Sequence, residues 1–247
     1  MSELVLITQY SFIITMLGMA GASLYFWFER DTLEVNLRSA ATIAGIYTAI
    51  AATMYFRMSG IVGTDGDVKM LLTLPTYLRY IDWLITTPLM LINLMIILEV
   101  TGDKRGVTVV VIAADIAMIV FGYFGERFSY DPAMKFEAWV MFSLGMLAFL
   151  LLLYMLYSTL GEVAKDKVLP VKQAFFNIRM VIVIGWSIYP IAFIFGMLDD
   201  SPGFKVARDL IYNFSDLVNK VGLGLIALTA AKEVTRDVQL KRAMRDL

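Results

Sequence analysis

Lys220 is chemically conspicuous because it lies in a strongly apolar stretch, with Asp216 four residues earlier on the same helical face. An ammonium group at the middle of a bilayer costs roughly 2.5–3.5 kcal/mol on insertion scales, so a compensating partner is expected. A lysine beside a carboxylate can form an ion pair that only holds helices together. The same amine can also condense with a carbonyl compound to form a Schiff base.

A polar line runs along an apolar segment earlier in the chain. Arg79 and Asp82 are three residues apart and Asp82 and Thr86 are four apart, so they share one helical face. Asn93 follows Asp82 by eleven residues, close to three full turns, and lies on that face about 16 Å further along the axis. Asp82 and Asp216 are therefore natural counterions for a cation at Lys220, and Arg79 can offset the additional negative charge.

An ion-pair network that locks helices together is the simplest interpretation of these charges. For one pair, that interpretation and a functional one are equally good. A lysine, two aspartates and an arginine inside a membrane favour function, because such charges are costly and mark transport or ligand sites.

Aromatic and methionine side chains at helical spacing form a possible ligand slot. Trp83, Thr87 and Met90 occupy a second face of the segment that carries Asp82. Further candidates on other segments are Asp115, Met118, Gly122, Trp186, Tyr189, Pro190 and Phe193. Taken alone, such residues usually only pack, but together they can line a slot for a flat, apolar, conjugated ligand. Pro190 is expected to kink its helix.

The composition predicts an integral membrane protein. Of the 247 residues, 59% are hydrophobic and 17% are charged, and the charges separate apolar runs. The absence of Cys and His excludes disulfides, thiolate catalysis and the commonest metal ligands, and no basic stripe suggests nucleic acid. We therefore predict an all-α membrane protein with one domain over residues 1–247 and no metal site.

Seven apolar segments are long enough to cross the lipid bilayer as helices. They are predicted at 4–28, 39–60, 74–99, 107–126, 133–158, 173–197 and 204–231. Arg79 and Lys220 are the basic residues left inside these spans. Loops on one side hold thirteen of the 21 lysine and arginine residues and loops on the other hold six. The positive-inside rule then places the N-terminus outside and the C-terminus inside.

The connector after the second segment is rich in turn-forming residues. It contains Gly60, Gly63, Asp65, Gly66 and Asp67. This composition predicts a small hairpin.

The motifs together resemble those of the microbial (type 1) rhodopsins. They are Arg79-Tyr-x-Asp82-Trp-x-x-Thr-Thr-Pro, Trp186-x-x-Tyr-Pro190 and Asp216-x-x-x-Lys220 on the third, sixth and seventh segments, and the resemblance covers all seven segments in order. Two further motifs are similar to the proteorhodopsin branch. They are Phe121-Gly-Tyr-Phe-Gly-Glu126 and Leu210-Ile-Tyr-Asn-x-x-Asp-x-Val-Asn-Lys220.

The resemblance implies all-trans retinal bound to Lys220 as a protonated Schiff base. Asp82 would be the primary counterion and proton acceptor, and Asp216 the second counterion. Thr86 would form a hydrogen bond near Asp82, and Arg79 would gate the extracellular side. Expected retinal contacts are Trp83, Thr87, Met90, Met118, Trp186, Tyr189 and Phe193, and candidate partners of the counterions are Tyr55, Tyr189 and Tyr212. A homo-oligomer, a pentamer or hexamer, is also implied.

The sequence departs from the proteorhodopsin pattern at the position that returns the proton. Three positions classify such rhodopsins, and here they are Asp82, Thr86 and Asn93. Proton pumps of this branch usually carry a carboxylic acid at the third position, and Asn93 cannot release a proton. Reprotonation would draw on bulk water, Glu99 or another group, so we expect a slow photocycle whose late step slows further as the pH rises.

Three other departures concern the acid–base behaviour of the acceptor and the absorption of light. Ala52 stands where the family pattern has a histidine that contacts the acceptor, so the family's acid–base tuning does not carry over. Phe142 stands near the window that a carotenoid antenna would need, which argues against an antenna. Met90, at a colour-tuning position, favours green over blue absorption.

These features favour a light-driven outward proton pump in a cell membrane, most consistent with the bacterial inner membrane, rather than an enzyme. An anion pump would lack the negative acceptor, and a sodium pump would carry an Asn-Asp-Gln triplet. A sensory rhodopsin that signals through a transducer is the alternative, because a non-carboxylic third position is typical of sensors. The tail from Lys232 to Leu247 resembles a solvated helix end more than a docking site. A light-gated proton or cation channel is a third possibility.

Overall fold

The computed structural model describes residues 3–64, 74–100, 105–198 and 201–245. Within these ranges, seven helical stretches are long and apolar enough to cross a membrane, which confirms the predicted all-α membrane fold. The membrane helices are α1 (Glu3–Glu29), α2 (Arg38–Thr64), α3 (Leu74–Ile97), α4 (Arg105–Ser129), α5 (Lys135–Tyr157), α6 (169–198) and α7 (Pro202–Arg245).

Helix α7 is the element that closes the bundle. Neighbours in sequence pack side by side from α1 to α5, and α7 contacts α1, α2, α3 and α6. Apolar side chains from these helices form a continuous core, which includes Phe26, Leu94, Leu152, Ile182 and Leu223. A residue on the inner face of α7 is therefore surrounded by other helices, whereas outward apolar residues face the bilayer.

Helix α3 ends slightly earlier than predicted because Glu99 adopts a left-handed backbone conformation, with φ of 49°. The Val100 amide then donates to the Met95 carbonyl at 3.0 Å, which satisfies a carbonyl at the helix end. This turn places Glu99 at the surface, where its carboxylate lies 3.0 Å from the Lys167 ammonium.

Helix α6 departs from α geometry before Pro190 rather than at it. Its two α-helical parts, Leu169–Met180 and Trp186–Leu198, flank a π-helical turn at Val181–Gly185. The second part continues through Pro190. The wide turn precedes the proline by about one turn of helix, and such π-bulges are common at functional sites.

Helix α7 extends well beyond the predicted end at residue 231. The Arg242 guanidinium donates to both Glu34 carboxylate oxygens, at 2.8 and 3.1 Å, and the Lys232 ammonium lies 2.8 Å from the Glu29 carboxylate. The Glu34 amide also donates to the Thr235 hydroxyl at 3.1 Å. These contacts attach a polar helical extension to the segment between α1 and α2, and hydropathy cannot detect them.

The hairpin prediction is wrong for its first residues. Gly60 and Gly63 belong to α2, which continues as a regular helix past both of them. Asp65, Gly66 and Asp67 lie outside the described residues.

Candidate functional site

Lys220 lies in the middle of the bundle, with its side chain 1% exposed. Its ammonium donates to Asp82 Oδ2 at 2.7 Å and to Asp216 Oδ2 at 2.6 Å. The first carboxylate comes from α3 and the second from the preceding turn of α7. The structure thus brings together the three charged residues that the sequence analysis selected, and each buried charge has an opposite charge in contact.

The two carboxylates are held differently. Asp216 also accepts hydrogen bonds from the Tyr55 hydroxyl at 2.9 Å, the Trp83 indole at 3.0 Å and the Tyr189 hydroxyl at 2.9 Å. Asp82 Oδ1 is buried and has no hydrogen-bond partner among the described residues. Asp216 is therefore fixed as a carboxylate by three donors besides Lys220, whereas Asp82 keeps an oxygen free to receive a proton.

The two threonines after Asp82 bind different groups. The Thr86 hydroxyl donates to the Asp82 main-chain carbonyl at 2.8 Å, so it contacts the backbone of Asp82 rather than the carboxylate. The Thr87 hydroxyl lies 2.8 Å from both the Trp83 carbonyl and Asp115 Oδ2. Asp115 is fully buried and links α4 to α3 at this level.

Arg79 faces away from the carboxylates that bind Lys220. Its guanidinium donates to the Tyr55 hydroxyl at 3.1 Å and to Asp209 Oδ1 at 3.3 Å. Because Tyr55 in turn donates to Asp216, one hydroxyl connects the arginine to that carboxylate. We call the half of the bundle that holds Arg79 the Arg79 side, and the opposite half the Asn93 side.

A second buried ion pair lies on the Arg79 side. The Arg208 guanidinium is 3.2 Å from Glu126 Oε1, and their side chains are 6% and 2% exposed. The hydroxyls of Tyr130 and Thr76 donate to the same carboxylate oxygen at 3.0 and 3.2 Å. Burial beside this carboxylate raises the pKa of the Tyr130 hydroxyl above its usual range.

The prediction that Arg79 and Lys220 are the basic residues inside the spans is therefore wrong, because Arg208 is also buried in α7. Asp209 and Asp115 were also missed as partners of Arg79 and Thr87. A signal was present, because Asp209 precedes Asp216 by seven residues, two helical turns on the same face. The charge partners could not be assigned from one helix alone.

The Asn93 side is poor in proton donors. Asn93 is fully buried, and neither polar atom of its side chain forms a hydrogen bond with the described residues. The Tyr47 hydroxyl donates to the Lys220 main-chain carbonyl at 3.2 Å. Buried carboxylates in the described part of the chain are Asp82, Asp115, Glu126, Asp209 and Asp216. Asp82 lies on α3, and each of the other four carboxylates contacts a residue of α3 that precedes Asn93 in the sequence.

An apolar cavity extends from Lys220 between α3, α4, α5 and α6. The seven predicted ligand contacts all line it, namely Trp83, Thr87, Met90, Met118, Trp186, Tyr189 and Phe193. Phe142 also lines it and stacks on Phe193, with ring centroids 4.9 Å apart and planes at 5°.

These walls fit a long, apolar, conjugated aldehyde such as retinal. The amine of Lys220 stands at the polar end of the cavity, and the free Asp82 oxygen lies beside it. A Schiff-base nitrogen at that position would retain the two carboxylates as counterions.

Comparisons with known proteins agree with the fold and the motifs. The family model for bacteriorhodopsin-like proteins matches residues 6–234. The green-light absorbing proteorhodopsin of Gamma-proteobacterium EBAC31A08 is 33% identical over 226 residues, which are 91% of this chain and 86% of that protein. Sensory rhodopsin-2 of Natronomonas pharaonis is 31% identical over 220 residues, 87% of this chain and 85% of that protein.

Among solved structures, the crystal structure of Exiguobacterium sibiricum rhodopsin has 38% sequence identity and a TM-score of 0.87. That similarity covers 95% of this chain and 99% of that chain. The predicted microbial-rhodopsin resemblance is confirmed, and so is the prediction of a multi-pass membrane protein. The chain belongs to the bacteriorhodopsin-like family of microbial rhodopsins.

Proposed function

We propose that this protein is a light-driven outward proton pump that carries all-trans retinal on Lys220. The observation that carries the proposal is the unequal pair of carboxylates at the Lys220 ammonium. Asp216 accepts hydrogen bonds from three donors besides Lys220, whereas Asp82 has a buried oxygen that finds no partner in the part of the chain that the structure describes. A proton that leaves the lysine nitrogen therefore has one acceptor ready for it.

Retinal, when joined to Lys220 as a Schiff base, supplies a light-driven isomerisation that weakens the hold of the nitrogen on its proton. Asp82 is placed to accept that proton because it already accepts a hydrogen bond from this nitrogen at 2.7 Å. Asp216 stays ionised because Tyr55, Trp83 and Tyr189 stabilise its charged form. Trp83 and Trp186 line the cavity and restrict how the chromophore lies.

The exit route leads to the Arg79 side. Neutralisation of Asp82 removes one of the two negative charges at Lys220, and the other, Asp216, is connected to Arg79 through the Tyr55 hydroxyl. Arg79 is also bound to Asp209. Through this connected set of charges, the neutralisation of Asp82 can affect the Arg79 side without a large backbone movement. The count of basic residues in the loops assigns this side to the exterior.

The return route is slow in this proposal. Asn93 has no proton to give, and Glu99 is exposed and paired with Lys167. Bulk water on the Asn93 side then supplies the proton, so the last step slows as the pH rises.

A sensory rhodopsin is the second candidate. Asn93 favours it, because a sensor benefits from a long-lived signalling state and has no need for an internal proton donor. The similarity to sensory rhodopsin-2 at 31% identity supports this alternative. The described tail of α7, which is attached to Glu34 and Glu29, leaves Leu240 and Met244 exposed.

Illumination of unbuffered cells that express the protein with retinal separates these candidates. A pump acidifies the medium, and a protonophore abolishes the change. An intact visible photocycle without any pH change supports the sensor, and currents that reverse with the proton gradient support a channel. The Lys220→Ala variant is the control, and a visible pigment in that variant would refute the attachment site.

The same proposal includes a single retinal-binding domain over residues 1–247 and a homo-oligomer, a pentamer or hexamer. Both rest on the family resemblance. Cross-linking in the membrane, followed by mass measurement of the linked species, tests the oligomer. Recovery of monomer alone at every cross-linker concentration would reject it.

A further inference from the structure

Asn219 precedes Lys220 and lies against the π-helical turn of α6. Its side-chain amide donates to the Tyr189 hydroxyl at 3.2 Å, and that hydroxyl donates to Asp216 Oδ1 at 2.9 Å. Asn219 is 4% exposed, so water does not replace this contact freely.

Gly185 provides the space that Asn219 occupies. A Cβ atom added at Gly185 would lie 2.8 Å from the Asn219 side-chain carbon, well inside van der Waals contact. Gly185 is the last residue of the π-helical turn Val181–Gly185, and Trp186 follows it immediately. The glycine and the wide turn together allow α7 to insert a carboxamide into the surface of α6.

The chemistry of a hydroxyl group explains what this carboxamide does. A tyrosine hydroxyl has one proton to donate and can accept other hydrogen bonds. Because Asn219 donates to the Tyr189 oxygen, it occupies an acceptor site and leaves the hydroxyl proton directed at Asp216. Without Asn219, the Tyr189 hydroxyl can rotate within the cavity, since its ring also borders that space.

We infer that Asn219 is a positioning residue that acts through Tyr189 to keep Asp216 ionised, and that Gly185 admits it. This inference rests on the proposed attachment of retinal to Lys220. If Asn219 acts in this way, the difference in proton affinity between Asp82 and Asp216 depends on the contact between α6 and α7. A displacement of α6 would then alter which carboxylate binds a proton.

The test uses the second acid-induced change in the absorption spectrum of the pigment, the change that also remains in Asp82→Asn and therefore reports on Asp216. The pH midpoint of this second change is the readout. Asn219→Leu keeps a similar volume and removes the donor, so Asp216 is less well stabilised as a carboxylate. We expect the midpoint to rise by at least about 0.5 pH unit, because loss of a hydrogen bond to a charged form favours protonation. This variant leaves unchanged the other titratable, charged and hydrogen-bonding groups around Asp216, namely Lys220, Asp82, Arg79, Tyr55, Trp83 and Tyr189.

A second background tests whether Asn219 acts through Tyr189. Tyr189→Phe raises the midpoint by removing the donor itself, and adding Asn219→Leu should then change it by less than about 0.2 pH unit, because the intermediary is absent. Full additivity of the two shifts would overturn the inference, as would a wild-type midpoint in Asn219→Leu. The lipid-facing substitution Val218→Leu is the matched control and should titrate like the wild type.

Gly185→Ala tests the space itself. We expect it to reduce pigment formation with added retinal, and Asn219→Ala in the same chain should restore it by removing the obstructing carboxamide. Gly222→Ala on α7, where nothing lies within 4 Å of the added carbon, should leave pigment formation unchanged. Wild-type pigment formation by Gly185→Ala alone would refute the role of Gly185. Absence of pigment in the wild type would instead remove the retinal assignment and this inference with it.

Discussion

Asp82 and Asp216 have the same chemistry and contact the same ammonium, yet their surroundings assign them different roles. Asp216 accepts hydrogen bonds from three extra donors, whereas Asp82 Oδ1 has no hydrogen-bond partner among the described residues. We therefore propose that Asp82 is the carboxylate that is neutralised. In a coupled pair the proton belongs to the pair, and hydrogen bonds decide where it resides. The function proposed above therefore depends on neighbouring residues as much as on the carboxylates.

Replacement of Asp82 by asparagine tests this difference. Asp82→Asn removes one counterion and the acceptor, so the absorption should shift to longer wavelength and the light-induced acidification should disappear. Absorption spectroscopy and a pH electrode on the same membranes measure both. Asp216→Asn leaves the three donors facing an amide group instead of a carboxylate. We expect this substitution to lower the free energy of unfolding by about 1–3 kcal/mol. Persistent acidification by Asp82→Asn would contradict the assignment.

Asn93 offers a gain-of-function test at the same scale. Asn93→Asp supplies a carboxylic acid inside the protein, so the recovery of the dark state should accelerate by roughly 100-fold, at the low end of what a positioned proton donor contributes. Flash spectroscopy of the last photocycle step between pH 6 and pH 9 measures the rate.

The pH dependence provides the control for that substitution. In the wild type, each unit of pH lowers the bulk proton concentration tenfold, so recovery should slow as the pH rises. Leucine, like asparagine, has no acidic proton to donate, so Asn93→Leu should retain this pH dependence. Asn93→Asp should lose most of it. A wild-type recovery that is fast and independent of pH would show that another donor exists.

At the scale of elements, α7 provides Lys220, Asp216, Asn219 and the partner of Arg79, Asp209. It can do so because its inner face packs against α1, α2, α3 and α6. The surface of α7 that faces α1 and α2 packs closely against both helices. A Cβ atom on Gly224 would lie 2.8 Å from both the Tyr47 hydroxyl and an edge carbon of Phe26.

Two glycines of α7 give a matched test of this packing. Gly224→Ala overfills the contact and should destabilise the protein by about 1–3 kcal/mol. Gly222→Ala meets nothing within 4 Å and should be neutral or stabilise by about 0.5–1 kcal/mol, as expected for alanine in a helix. Thermal denaturation of both variants in the same detergent measures the difference. Equal stability would indicate that α7 does not pack this tightly.

At the scale of the whole molecule, the bundle separates two sides with different contents. Within the described residues, the Arg79 side holds two buried ion pairs, Arg79–Asp209 and Arg208–Glu126, whereas the Asn93 side has a buried amide that forms no side-chain hydrogen bond. Outward transport follows from this difference only if the Arg79 side faces the exterior. The basic residues of the loops predict that orientation.

Labels at the two termini test the orientation directly. A C-terminal label should be accessible to a protease or antibody only after the membrane is permeabilised, because the C-terminus is predicted to lie inside. An N-terminal label on the same protein is the matched control and should be accessible in intact cells. The reverse pattern would contradict outward transport and require inward transport by the same residues.

The sequence alone determined the membrane class, the seven spans and the central charged residues Asp82, Asp216 and Lys220. Apolar runs between short charged blocks are a property of the chain, and so are helical spacings such as Asp216 to Lys220. The cavity-lining residues were also predictable, because family motifs preserve residue types at fixed spacing.

The tertiary structure decided which residues meet across helices. Asp209 and Arg208 are neighbours in sequence, yet one pairs with Arg79 on α3 and the other with Glu126 on α4. The fit of Asn219 against Gly185 depends in the same way on a π-helical turn in another helix. Helical periodicity fixes the face on which a side chain lies, whereas the partner of a buried polar group depends on how helices distant in sequence pack together.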